Sequence, residues 1–277
     1  MSERTGEHEW DAATYHVIST PQLTWGLRVL ERLSLGGDEV VLDAGCGSGR
    51  LSAALLERLP RGRLIAVDRS ANMLDEARKN LAHFGQRVTY VQAELTALVS
   101  PEPADVVFSN ATFHWVLDHP ALFRALHGAL RPGGRLHAQC GGAGNLVSIH
   151  GFAEELRRSP RFARWFEGWQ EPWEFATADV TRERLLAAGF TDVETSHEDA
   201  PTPFDGAESY RRFVASVVLR LDLARLPDEA QKAAFLDEIV ERASRTTPPF
   251  TLDYRRLNLS ARRPEPAEIG PLAGTPR

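Results

Sequence analysis

Along residues 39–140, short continuous hydrophobic runs alternate with longer stretches whose apolar positions recur every three or four residues. EVVLDA (39–44) is apolar on both faces, as a strand buried between two layers must be. GRLSAALLERL (49–59) instead carries the apolar stripe of a helix lying on a sheet. The same contrast predicts strands over 62–68, 87–94, 104–111 and 133–140, and helices over 70–84 and 119–132, with Ser70 set to cap the first of these helices. Strand and helix units in strict alternation, without an internal sequence repeat, predict a parallel sheet covered by helices.

Beyond residue 140 the pattern loosens. RFARWFEGWQEPWEF (161–175) is dense in aromatics, reading either as a lid over an apolar ligand or as ordinary packing, and ERLLAAGF (183–190) reads as a short helix feeding a strand, DVETSHED. Two more helices are expected over 206–226 and 228–244. In FTLDYRRLNLSAR (250–262) the period-two alternation changes phase around Arg255 and Arg256, which predicts a bulge in an edge or penultimate strand. The Pro/Gly-rich end is expected to be a disordered tail. The organisation expected is a helical N-terminal cap over 1–35, an α/β domain over 36–263 with helical insertions at 144–178 and 203–249, and a tail over 264–277.

Composition narrows the partners. A net charge of -6 disfavours a surface built to neutralise phosphates, so nucleic acid is not an expected partner. Cys46 and Cys140 are the only cysteines and have no neighbouring ligand spacing, so neither a disulfide framework nor a metal site is expected, and a reducing cytoplasm suits them. The opening MSERTGEHEWDAATY lacks the apolar core of a signal peptide, and no apolar run is long enough to span a membrane; the expectation is a cytoplasmic protein with no membrane partner.

The chemistry concentrates in LDAGCGSGR (42–50), where glycines follow directly on a strand that ends in an acid. Such a turn brings bare backbone to a ligand at the carboxyl edge of a parallel sheet. The dinucleotide fingerprint G-x-G-x-x-G fails here, because Arg50 occupies its third glycine position. Asp43, two residues before Gly45, would repel a pyrophosphate and favour an ammonium or sulfonium. A cationic nucleoside is the better guest, which sets a dinucleotide oxidoreductase aside.

These residues resemble motif I of the class I S-adenosylmethionine-dependent methyltransferases. The resemblance implies a Rossmann-like, seven-stranded, mainly parallel α/β sheet with its last strand antiparallel, helices on both faces and helical insertions on the substrate side. It also implies S-adenosylmethionine as cofactor, with Asp43, Gly45, Cys46 and Gly47 at its methionyl part. Asp68, ending the second strand, would accept the ribose hydroxyls, with Arg69 and Met73 nearby. Glu94 and Leu95 would meet the adenine; the family more often has Asp at the first of these positions. Asn110 and Ala111 end the fourth strand beside the cofactor.

Outside this core, Tyr15, Gln22 and the Trp115 of NATFHWV resemble the carboxyl methyltransferases of the juvenile hormone acid and trans-aconitate type. In the juvenile hormone acid type a Gln and a Trp clamp the substrate carboxylate, and a Tyr seven residues before the Gln closes over the cofactor; the trans-aconitate type shares the N-A-x-x-x-W stretch. The resemblance implies O-methylation of a small, partly apolar carboxylate, an acceptor already ionised at neutral pH that needs no base. The departure is the lack of an Arg beside Gln22, which a polycarboxylate would call for. Two alternatives stay open: methylation of a hydroxyl or carbon acid with His114 as base, and a non-catalytic cofactor-binding protein that uses helices 206–244 as a partner surface.

Overall fold

The computed structural model describes residues 20–266. Its main sheet has seven strands: β1 (Val40–Ala44), β2 (Arg63–Asp68), β3 (Val88–Gln92), β4 (Ala104–Asn110), β5 (Leu130–Gly141), β6 (Thr191–Asp199) and β9 (Arg255–Arg262). Their order is β3-β2-β1-β4-β5-β9-β6. The pairs from β3 to β5 are parallel, and β9 runs antiparallel to both neighbours. The chain thus steps outward from β1 to β3, then returns to lay β4 on the other side of β1. That reversal is the topological switch point where open α/β sheets bind ligands.

The helices are amphipathic and cover both faces. On one, α1 (Thr20–Glu31), α2 (Arg50–Glu57) and α3 (Ala71–Asn80) pack Leu30, Leu55, Leu56 and Leu74 against Val41, Leu64 and Phe108. On the other, α4 (His119–Ala129) and α6 (Ala178–Ala187) pack Leu122, Phe123, Leu126 and Leu185 against Leu42, Ile65, Val107 and Leu136. Each such buried side chain contributes about 1.5–3 kcal/mol. Caps sit where the sequence predicts or allows them: Ser70 accepts the Met73 N–H at 3.2 Å, and Asp118 accepts that of Ala121 at 2.9 Å.

A second core joins Trp25 and Tyr254 to α5 (Val147–Arg158), α7 (Ala207–Phe213), α8 (Arg220–Arg225) and α9 (Glu229–Ser244). Inside it the buried Arg157 donates to Asp222 at 2.7 Å and to Glu171 at 2.6 Å, tying α5 to α8. The segment expected as one helix over 206–226 is interrupted by a π turn, Val214–Val218, closed by the Leu219 N–H on the Val214 carbonyl at 2.7 Å. The phase change at Arg255 and Arg256 also has a different cause from a bulge. Residues Thr251–Leu252 form a separate strand, β8, paired with β7 (Thr202–Pro203), and β9 begins only at Arg255. Of the expected tail, residues 267–277 lie outside the described residues, as do residues 1–19 of the expected cap.

Candidate active site

At the switch point the loop after β1 meets the end of β4. Gly45 has φ +84°, and its N–H and that of Cys46 donate to the Val67 carbonyl at 2.8 and 2.9 Å. A Cβ on Gly45 would lie 2.2 Å from Thr112 Oγ1, so the two loops pack too closely for a side chain. Gly47, at φ +53°, has no protein atom within 4 Å of where its Cβ would stand. Its bareness therefore serves the open space of the cleft, and its N–H donates to Asp68 Oδ2 at 2.9 Å. Asp68 Oδ1 accepts the Ser70 N–H at 2.9 Å, so one carboxylate braces the glycine loop and the start of α3.

Asp43 is 2% exposed and accepts the Ser52 hydroxyl at 2.6 Å. Burial raises its carboxyl to about 7, against the Ser52 hydrogen bond and with the charge of Asp68 adding to the rise. Burial also raises Asp68, opposed by the Ser70 and Gly47 amides. Two acids costly to ionise on one wall make a site that a positive group would relieve.

The cleft encloses about 1050 Å³, its open mouth included. Eleven residues expected from the sequence line it: Asp43, Gly45, Cys46, Gly47, Asp68, Arg69, Met73, Glu94, Leu95, Asn110 and Ala111. Ala111 sits at φ +57°, a strained conformation for a residue with a Cβ, and its N–H bonds the Gln139 carbonyl at 2.8 Å. Trp115 completes the wall from a short 3₁₀ turn, Phe113–Trp115. Ser48, Arg50 and Thr112 line the cleft as well and were not anticipated. The first two stand in the glycine loop itself, so extending motif I by one turn would have found them. Tyr15 lies outside the described residues; Gln22 is on α1, with its side chain outside them.

Ala111 and Trp115 also line a second pocket, of about 510 Å³. Its walls are Trp173, Phe175, Tyr254, Leu146, Val217 and Val218, and its polar groups are His114, His150, Asn145 and Arg256. Trp173 and Phe175 stack at 5.8 Å between centroids, and His150 lies 4.3 Å from Trp173. The aromatic segment therefore divides: Phe162 and Phe166 are packed in the helical core, and Trp173 and Phe175 face the pocket. The pocket wall is tied down at both ends, the Glu174 N–H donating to the His114 carbonyl at 2.8 Å and the Ala143 N–H to the Ala176 carbonyl at 2.9 Å. It is a fixed wall.

His114 is buried, and the Gly141 N–H donates to its Nδ1 at 3.3 Å. With that lone pair occupied, the neutral ring carries its proton on Nε2 and is a donor there. Burial, then the nearby Arg256 charge, holds it well below the usual histidine range. His150 is lowered to about 3, mainly by burial, and neither ring nitrogen has a hydrogen-bond partner among the described residues.

A family model described as a methyltransferase domain matches residues 41–134. Trans-aconitate 2-methyltransferase of Acidovorax ebreus is 36% identical over 132 residues, which is 48% of this chain and 50% of that protein. The chain thus spans about half the length of the first curated relatives it matches. The enzyme of the same name from Paracidovorax citrulli aligns over 90% of this chain and 94% of its own length, at 29% identity. Among solved structures, a Haemonchus contortus phosphoethanolamine N-methyltransferase has a TM-score of 0.60 at 18% identity, covering 92% of this chain and 57% of that one, a likeness of fold. The glycine loop and the acids at successive strand ends that line the switch-point cleft fall within the span, residues 41–134, that matches the methyltransferase domain model.

Proposed function

We propose that the protein is an S-adenosylmethionine-dependent methyltransferase that O-methylates the carboxylate of a small organic acid. The observation that carries this is that the two pockets adjoin: a cleft suited to a cationic nucleoside and an aromatic pocket share Ala111 and Trp115 as lining. Bound S-adenosylmethionine supplies a methyl group activated on a sulfonium. Asp43 would take its ammonium, Asp68 its ribose hydroxyls, and Glu94 with Leu95 its adenine. The bare Gly47 leaves backbone room for the methionyl part.

What remains for the protein is alignment and exclusion of water. Trp115, with Gln22 as its partner, would hold the acceptor carboxylate at the junction. A carboxylate is ionised near neutrality and needs no general base. His114 favours this choice over a hydroxyl or carbon acid, because its Nδ1 accepts a backbone N–H and its Nε2 then bears the proton. The names of the curated relatives, trans-aconitate 2-methyltransferases, point the same way.

The test is incubation with S-adenosylmethionine and a panel of carboxylic acids, phenols and carbon acids, with mass spectrometry of both products. Formation of S-adenosylhomocysteine together with a methyl ester is expected. Cofactor binding by calorimetry with no acceptor converted would favour a non-catalytic binding protein, and a methyl ether or C-methyl product would reinstate a base.

A further inference from the structure

We infer that Arg184 is a positioning residue for methyl transfer: from outside both pockets it ties the Phe113–Trp115 turn to the wall that carries Trp173 and Phe175, and so sets where Trp115 stands on the edge the pockets share. The inference rests on the proposal that Trp115 meets the methyl acceptor. Arg184 is on α6 and lines neither pocket. Its Nη1 lies 3.0 Å from His119 Nδ1, and Nη1 and Nη2 both donate to Glu174 Oε1 at 3.0 Å. Each of these partners holds a carbonyl of the turn. His119 Nε2 meets the Phe113 carbonyl at 3.1 Å, and the Glu174 N–H donates to the His114 carbonyl at 2.8 Å. Two successive carbonyls of the turn that carries Trp115 are thus held by groups that converge on one guanidinium.

The proton positions follow from the partners. A carbonyl only accepts, so His119 Nε2 carries the proton and Nδ1 keeps a lone pair for the Arg184 N–H. The ring is 1% exposed, and burial holds it below the usual histidine range, so this neutral form is the one present near neutrality. Arg184 thereby excludes the other tautomer, which would set N–H against N–H and release the Phe113 carbonyl. On the wall, side chains alternate. Trp173 and Phe175 line the second pocket, whereas Glu174 between them does not and reaches Arg184 instead. The rings of the two segments then meet: Phe175 and His114 at 5.8 Å between centroids, inclined by 30°, and Trp173 and Trp115 edge-on at 6.1 Å. Arg184 therefore fixes the spacing of two backbone segments whose rings form the site. An arginine suits this task because its planar fork presents several donors in one fixed geometry. Transfer between aligned groups tolerates little displacement, and about 1 Å can cost about a hundredfold in rate.

The test uses the full chain labelled with 5-fluorotryptophan and bound to S-adenosylhomocysteine, and reads Trp115 by fluorine NMR. Trp115→Phe and Trp165→Phe assign the two resonances needed, Trp165 being packed against the helical core. In Arg184→Gln the Trp115 resonance should shift or split, while that of Trp165 and the affinity for S-adenosylhomocysteine are kept; Arg184→Lys, which keeps a donor but loses the fork, should fall between. The kinetic arm offers benzoate, cinnamate, fumarate and trans-aconitate as methyl acceptors, well below the melting temperatures of all variants. With the acid converted fastest, Arg184→Gln should lower kcat/KM roughly ten- to a hundredfold, and Arg184→Lys should recover part of the loss. A merely structural role would lower Tm and leave both readings alone. Should the glutamine variant not fold, Arg184→Lys and Glu174→Gln decide, each expected to move Trp115. An unmoved Trp115 resonance, an unchanged kcat/KM, or a loss of cofactor affinity as large as the loss of kcat/KM would overturn the inference. A moved Trp115 with no acid converted by the wild type would instead count against the proposed reaction and leave the tie through Arg184 standing.

Discussion

At the scale of single residues, the strongest consequences come from Asp43. Its carboxyl, raised to about 7 by burial, must lose its proton to pair with an ammonium. Cofactor binding should therefore release most of a proton at about pH 6.5, where the ligand's own amine is already charged. Calorimetry in buffers of different ionisation enthalpy would measure it, and no release would deny Asp43 that role. Ser52 opposes the rise through its 2.6 Å hydrogen bond. Ser52→Ala should therefore move the pH at which affinity is gained upward. For His114 the expectation is negative: at saturating cofactor, kcat should be level from about pH 6 to 9. A rise in kcat with pH whose midpoint lies below the usual histidine range, abolished in His114→Ala, would instead identify a base.

At the scale of elements, Gly45 and Gly47 look alike in sequence and differ in what surrounds them. Gly45→Ala drives a Cβ into Thr112 and should unseat the loop after β4. Gly47→Ala meets no protein atom and should cost only the strain of a left-handed alanine, about 1–2 kcal/mol. It should fold, melt a few degrees lower and yet bind cofactor weakly, because its methyl enters the ligand's space. Near-normal affinity in that variant, measured by calorimetry, would argue against backbone approach at this turn. In the helical layer, Asp222→Ala removes one of the two carboxylates on the buried Arg157 and leaves Glu171, so in a denaturant titration it should cost less than the roughly 3–5 kcal/mol of a fully unpaired buried charge.

At the scale of the whole molecule, the acids of the cleft couple stability to ligand. Folded Asp43 keeps its proton up to about 7, whereas the unfolded chain releases it near 3.8. The folded state binds more protons between those values, so Asp43 lowers the stability of the unliganded protein as pH rises through that window. A bound ammonium removes the penalty. Saturating S-adenosylmethionine, at about 100 times Kd, stabilises by about 2.7 kcal/mol, and the gain in Tm should be larger at about pH 7.5 than at about pH 5.5. Equal gains at both would show that no acid in the cleft titrates on binding.

By itself the sequence determined the parallel sheet and the cofactor edge. Continuous apolar runs such as VVLDA and RLIAVD can be buried on both sides only as inner strands, and local rules then put Asp43, Gly47 and Asp68 at their ends. The second pocket obeys no local rule. Arg256, His150, Trp173 and Val218 come from a strand, a helix, a loop and a π turn, and only the folding of the helical layer onto the sheet edge brings them together. Arg256 was visible as a break in alternation at 250–262, but a change of phase records where one strand ends and another begins; which cavity a side chain enters is decided by the partners packed around it. The division of 161–175 into core and pocket wall has the same origin, since an aromatic ring is equally apolar against protein or against a ligand. Periodicity encodes which face of an element is buried, and tertiary structure alone decides what it is buried against.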